Sequence, residues 1–299
     1  MQAFAATPIR VGSSIWPGYE PLFLANKITD WGKNKSVRMV EFSSATEVTR
    51  AFRNRSLEAA ALTLDEVLLL REAGLPVTVV LVLDVSRGGD VIMAKPQYKN
   101  IKELKNKKFG VESGALGAFV LTRALELHGL TLNDIKIVPI EVNRHESAYR
   151  SDLIDAAVTF EPTKTNLAKL GAREVFSSRE IPNEIIDVLV VHNKILQSKK
   201  AQTRELIQGW FQALQFIKKD PNRAAKLMSV RLKITPHEVL TSFQGLSLPS
   251  VKENHGLLSG QHPIINQTVK RLQKTLEKSG LLKQGVNLQG LISAQFIPQ

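Results

Sequence analysis

From Ile9 onward the chain alternates short β-branched runs with amphipathic helical segments, and small polar residues stand at most of the junctions. Such alternation predicts α/β architecture. It breaks at Ser86-Arg87-Gly88-Gly89-Asp90, where one strand pattern follows another with no helix between. A glycine pair joining two strands in mid-chain predicts a crossing between two lobes.

Strand patterns before the break fall at residues 9–12, 37–42, 59–62 and 77–83, and after it at 91–94, 109–111, 135–140 and 156–160. A long apolar run at 185–191 is expected to be the return crossing. Beyond it only helices are expected, at 203–218, 221–230, 236–246 and 264–278, packed as a tail on the first lobe. The predicted organisation is lobe 1 at 7–86 and 191–299, lobe 2 at 87–190, and hinge segments near 84–92 and 182–191.

Local signals support these elements. Ser44 and Glu47 have capping-box spacing. Asp65 is expected to cap a helix that stops at Gly74. Helix 116–128 should end at Gly129 with Phe119, Val120, Ala124 and Leu127 on one face. Glu161-Pro162 should open another, with proline in the first turn.

The 299 residues are 43% hydrophobic and 23% charged, which suits folded cores. No apolar run approaches the ~20 residues of a membrane span. Without cysteine there is no disulfide, thiolate metal site or cysteine nucleophile, and an oxidising compartment is compatible. Ala3-Phe4-Ala5 has the small-x-small form of a signal-cleavage site, so an exported, periplasmic protein whose signal peptide has been removed is expected. The net charge of +12 is scattered and not interleaved with aromatics, so no nucleic-acid partner is expected.

Catalytic patterns are sparse. The six histidines lack metal-binding spacing, and there is no GxSxG elbow, Walker A sequence or GxGxxG after a strand. No catalytic residue, metal or cofactor is expected. In open α/β sheets ligands bind beyond the carboxyl ends of strands. The junctions there supply the candidate ligand-binding residues: Ser13, Ser14, Trp16, Tyr19, Ser44, Thr46, Thr63, Asp65, Asp84, Ser86, Arg87, Asp90, Ser113, Gly114, Leu116, Phe160 and Glu161. Each Ser, Thr or Asp has helix capping as its alternative role. Arg87 either holds an anion bidentately or braces the hinge against Asp84 or Asp90. Trp16 and Tyr19 either cover a flat ligand or join the core. Acids beside Arg87 favour a zwitterion or polar heterocycle over an inorganic anion.

Several segments together resemble the periplasmic solute-binding proteins of nitrate-, sulfonate- and taurine-type ABC importers: IRVGSSIWPGYEPLFLA (9–25), AALTLDEVLLLREAG (60–74), LDVSRGGDVIMA (83–94), IKELKNKKFGVESGALG (101–117) and DAAVTFEP (155–162). The resemblance implies a two-lobed type II periplasmic-binding-protein clamshell, with a mixed β-sheet flanked by helices in each lobe and a helical C-terminal tail on lobe 1. It also implies a small-molecule ligand between the lobes and a permease or membrane sensor as partner, and a monomer is expected. Residues Ser13 to Trp16, Asp84 to Asp90, Ser113 to Leu116 and Glu161 match positions that face the ligand in that family. The acids leave a sulfonate, a zwitterion and an amine-bearing solute as competing cargoes. Alternatives are a sensor subunit and a same-fold enzyme of the menaquinone or thiamine-pyrimidine pathway; the latter branch resembles this chain in fold but uses a cysteine-rich motif.

Overall fold

A computed structural model describes residues 7–31, 36–112, 115–260 and 263–299. Two mixed sheets organise the chain. The first contains β1 (Ile9–Ser13), β2 (Val37–Glu41), β3 (Ala59–Thr63), β4 (Val77–Ser86), β10 (Ile186–His192) and β11 (Leu246–Ser247), in the order β11-β4-β10-β3-β1-β2. The second contains β5 (Asp90–Ala94), β6 (Lys108–Val111), β7 (Lys136–Pro139), β8 (Ala156–Phe160) and β9 (Arg173–Ser177), in the order β7-β6-β8-β5-β9.

Strand composition follows sheet position. All ten residues of β4 are buried, as are the five of β3, so their near-continuous apolar runs suit strands covered on both faces. Edge strand β2 is half-exposed. In each sheet the parallel strands are joined by one that runs against them: β10 is antiparallel to β3 and β4, and β5 is antiparallel to β8 and β9. The amino ends of β10 and β5 therefore lie at the same sheet edges as the carboxyl ends of their parallel neighbours.

The chain passes from the first sheet to the second through Arg87-Gly88-Gly89. Gly88 has φ +112°, and a Cβ on Gly89 would lie 2.6 Å from the Trp16 ring, so both positions require glycine. Ser178 fastens this crossing to the returning segment, its Oγ lying 2.8 Å from Ser86 Oγ and accepting from Gly88 N–H at 2.6 Å. The return precedes β10. Residues 186–190, expected in the second lobe, pair with β3 and β4, because their apolar run fills the centre of the first sheet.

Most of the remaining chain is helical and covers the first sheet. Helix Lys200–Lys219 buries Leu206, Ile207 and Trp210, and Gly209 lets Trp31 approach so closely that a Cβ would fall 2.2 Å from its ring. Asn254, in helix Val251–Leu258, bonds Val82 N–H at 2.8 Å and Val82 C=O at 3.1 Å, docking that helix on β4. A strand not expected in this region, β11, pairs with β4, and Arg87 N–H donates to Gly245 C=O at 2.8 Å just before it.

Several local details differ from the sequence expectation. Glu66, not Asp65, closes the start of helix Leu64–Glu72, accepting from Thr63 N–H at 3.0 Å. Ser44 Oγ accepts from Glu47 N–H, but Glu47 returns to Ser43 instead of Ser44. Leu127 is half-exposed at the end of helix Ala115–Leu127. Pro162 precedes helix Thr163–Lys169 after a cis Glu161–Pro162 bond, so the first helical residue is Thr163.

Candidate functional site

The facing edges of the two sheets enclose two small cavities, of about 30 and 80 Å³, which share Ala45, Glu112, Val142 and Phe160 as walls. Glu66, Asp90, Leu116 and Thr159 also line the smaller, while Ser14, Ser44 and Asn143 line the larger. Among the described residues, neither wall includes a lysine, arginine or histidine. Three carboxyl groups thus border the smaller space without a basic neighbour in its lining.

Further acids lie behind them. Asp84 is directly opposite Asp187 in the β4–β10 ladder, and Asp187 is also opposite Thr63 of β3. Trp16 Nε1–H donates to Asp84 Oδ2 at 3.1 Å, and Tyr19 O–H donates to Asp187. The turn Pro17–Tyr19 can deliver both donors because position 18 is glycine; a Cβ there would fall 1.9 Å from Asp84 Oδ2. Trp16 also packs edge-on against Phe160 at 5.4 Å.

Burial dominates the electrostatics. It raises the carboxyl pKa of Asp65 to about 6, of Asp84 and Asp90 to about 7, and of Glu66 to about 8. Repulsion adds to the rise for Glu66 from Asp65, for Asp84 from Asp90, and for Asp90 from Asp65. Asp187 rises well above the ordinary value, first through burial and then through Asp84. Oδ2 of Asp90 and of Asp65, Oδ1 of Asp84 and Oγ1 of Thr159 have no hydrogen-bond partner. No salt bridge among the described residues reaches Asp65, Glu66, Asp84, Asp90, Glu112 or Asp187. A buried acidic cluster of this kind can accept a cation or hydrogen-bond donors, and it repels an anion.

The expected site residues separate into groups. Ser14, Ser44, Asp90, Leu116 and Phe160 line the cavities. Trp16, Tyr19, Asp65 and Asp84 are buried in the acidic cluster. Thr46 bonds Glu112 across the cleft, and Thr63 binds Glu66. Ser13 donates to the Ser14 carbonyl, Ser86 braces the crossing, and Glu161 accepts from Thr165 N–H at 3.1 Å. Arg87 is exposed and pairs with neither Asp84 nor Asp90; its charge acts on Glu253. Ser113 and Gly114 lie outside the described residues. Among the described residues, no group of three or more His, Cys, Asp or Glu side chains could hold a metal ion.

The candidate set omits several lining or cluster residues, among them Glu66, Glu112, Asp187 and Thr159. Glu66 carried a signal, the capping-box spacing from Thr63; Glu112 directly precedes a junction that was considered. Asp187 is an acid inside an apolar run, and Thr159 falls inside a strand, where rules based on strand ends do not look.

The model of the NMT1-like family matches residues 3–230. The chain belongs to that family. A Brucella abortus relative, whose name provisionally designates a binding protein, is 25% identical over 170 residues, which is 54% of this chain and 52% of the relative. The match thus spans about half the length of that relative. The alkanesulfonate-binding protein SsuA from Xanthomonas axonopodis pv. citri, solved with MOPS bound, has the same fold, at TM-score 0.79 and 17% identity over 97% of this chain and 98% of that one. The desulfurization enzyme DszB shares the fold as well, at TM-score 0.69 and 16% identity over 96% of this chain and 97% of its own. The fold is that of the periplasmic binding proteins.

Proposed function

We propose that the protein captures a small, amine-bearing organic solute in the cleft between its sheets and delivers it to an ABC permease from an exported, periplasmic location. The single observation that carries the cargo class is Asp90: it borders the cavity, its buried Oδ2 has no hydrogen-bond partner, and Lys164, the base whose charge reaches it, is engaged by the Gly88 carbonyl and Glu174. A protonated amine placed between Asp90 and Glu66 would supply both missing charge and donors, with Phe160 as an apolar wall. The exposed position of Arg87 removes the one expected anion-binding side chain, which favours an amine over a sulfonate or zwitterion. The lobes turn about hinge segments near 84–92 and 182–191, and ligand contacts to both sheets favour the closed state. The protein acts as a binder and not an enzyme; the absence of cysteine closes cysteine-based chemistry to it.

Thermal unfolding with a panel of primary amines, polyamines and aminopyrimidines, alongside alkanesulfonates and nitrate, tests this reading. An amine ligand at ~100 times its dissociation constant should add about 2.7 kcal/mol. A midpoint that responds to the anions and to no amine would overturn it.

A further inference from the structure

Glu112 follows β6 of the second sheet, yet its carboxylate sits on the first turn of helix Ala45–Arg53, which follows β2 of the first. Glu112 Oε1 accepts from Thr46 N–H at 3.0 Å and from Thr46 O–H at 2.8 Å. The neighbouring N–H groups of that turn are satisfied locally, Glu47 by Ser44 Oγ and Val48 by the Ser44 carbonyl. Thr46 N–H is satisfied from the opposite sheet by a side chain that is itself only 6% exposed and forms a wall of both cavities.

A helix amino terminus favours negative charge through its free N–H groups and dipole. We propose that Glu112 is a tethered anion that fills this position. It latches the two sheets together, and it is a specificity-determining residue that keeps sulfonate-type oxyanions from the Thr46 donors. The specificity half rests on the cleft being the solute site; the latch half does not. Closure and discrimination then have one cause. The same carboxylate that bonds Thr46 also adds repulsion at Glu66, so an anion meets like charge at the occupied helix terminus and beyond it.

The test compares wild type with Glu112→Ala, Glu112→Gln and Thr46→Val by small-angle scattering without ligand and by thermal unfolding with ethanesulfonate. Wild type should be compact and unresponsive to ethanesulfonate. Glu112→Ala should show a larger radius of gyration and gain an ethanesulfonate-dependent rise in midpoint; Glu112→Gln, which keeps an acceptor without charge, should fall between. Thr46→Val should open the ligand-free protein without gaining the sulfonate response, and it carries the test if Glu112→Ala does not fold. Unchanged compactness in these variants, or opening of Glu112→Ala without sulfonate binding, overturns the proposal. If Glu112→Ala opens and takes ethanesulfonate while no amine binds wild type, the amine reading fails and the latch stands.

Discussion

Asp84 and Asp187 face each other across the antiparallel β4–β10 ladder, both buried, each with one aromatic side chain as donor. Two carboxylates in this position repel, so the arrangement favours retention of a proton between them, with the Asp187 carboxyl as donor to Asp84. Asp187→Asn would preserve an acceptor for Tyr19 and a donor for Asp84 without the proton that the carboxyl must take up on folding. We expect this variant to fold and to gain about 1–3 kcal/mol at pH 8. Chemical denaturation at pH 8 measures it, and a loss of stability would refute the shared-proton arrangement.

The acidic cluster also sets a pH dependence. Unfolded carboxyl groups release their protons near pH 4, whereas in the folded protein Asp84 and Asp90 do so at about 7 and Glu66 at about 8. Between these limits the folded state holds more protons than the unfolded state, so stability falls as pH rises. The unfolding midpoint of the ligand-free protein should decline from pH 5 through pH 8. A flat or rising profile would show that these groups titrate normally.

Asp90→Asn separates binding from stability. Truncating a buried, charge-assisted contact costs about 2–5 kcal/mol of binding, so amine affinity should fall ~30-fold or more. Folding at pH 8 should improve, because the uncompensated charge disappears. Calorimetric titration and thermal unfolding on the same variant read the two effects, and parallel losses would make Asp90 a structural residue.

Away from the cleft, Arg231 lies 3.5 Å over the Phe23 ring and pairs with buried Glu20, whose pKa is raised to about 7 by burial despite that partner. Arg231→Ala should cost about 3–5 kcal/mol at pH 8, since it strands the carboxylate. Adding Glu20→Gln should recover part of the loss. Equal stability of the single and double variants would mean the pair is uncoupled.

The α/β alternation and the glycine crossing could be read in the sequence because both are local: β-branched runs, caps and a φ that favours glycine leave signals within a few residues. The strand-end rule likewise led to Asp84, Asp90 and Phe160. It passed over Asp187, because β10 runs against its neighbours and brings its amino end to the edge where theirs bring carboxyl ends. Trp16 and Tyr19 were identified, but their partners lie 68 and 168 residues away, so their role as donors to buried acids depends on tertiary structure. Arg87 misled for the converse reason. Its position beside two acids in the chain says nothing of its direction, and the turn sends it to solvent.

The backbone bond from Arg87 to Gly245 ties the helical tail to the point where the chain leaves the first sheet. A Cβ on Gly245 would lie 2.9 Å from Gly89 N, so the tail lies hard against the glycine pair as well. In the hinge motion proposed above, rotation about that pair would have to slide past this third strand of chain, so residues more than 150 positions downstream would set the limit of travel.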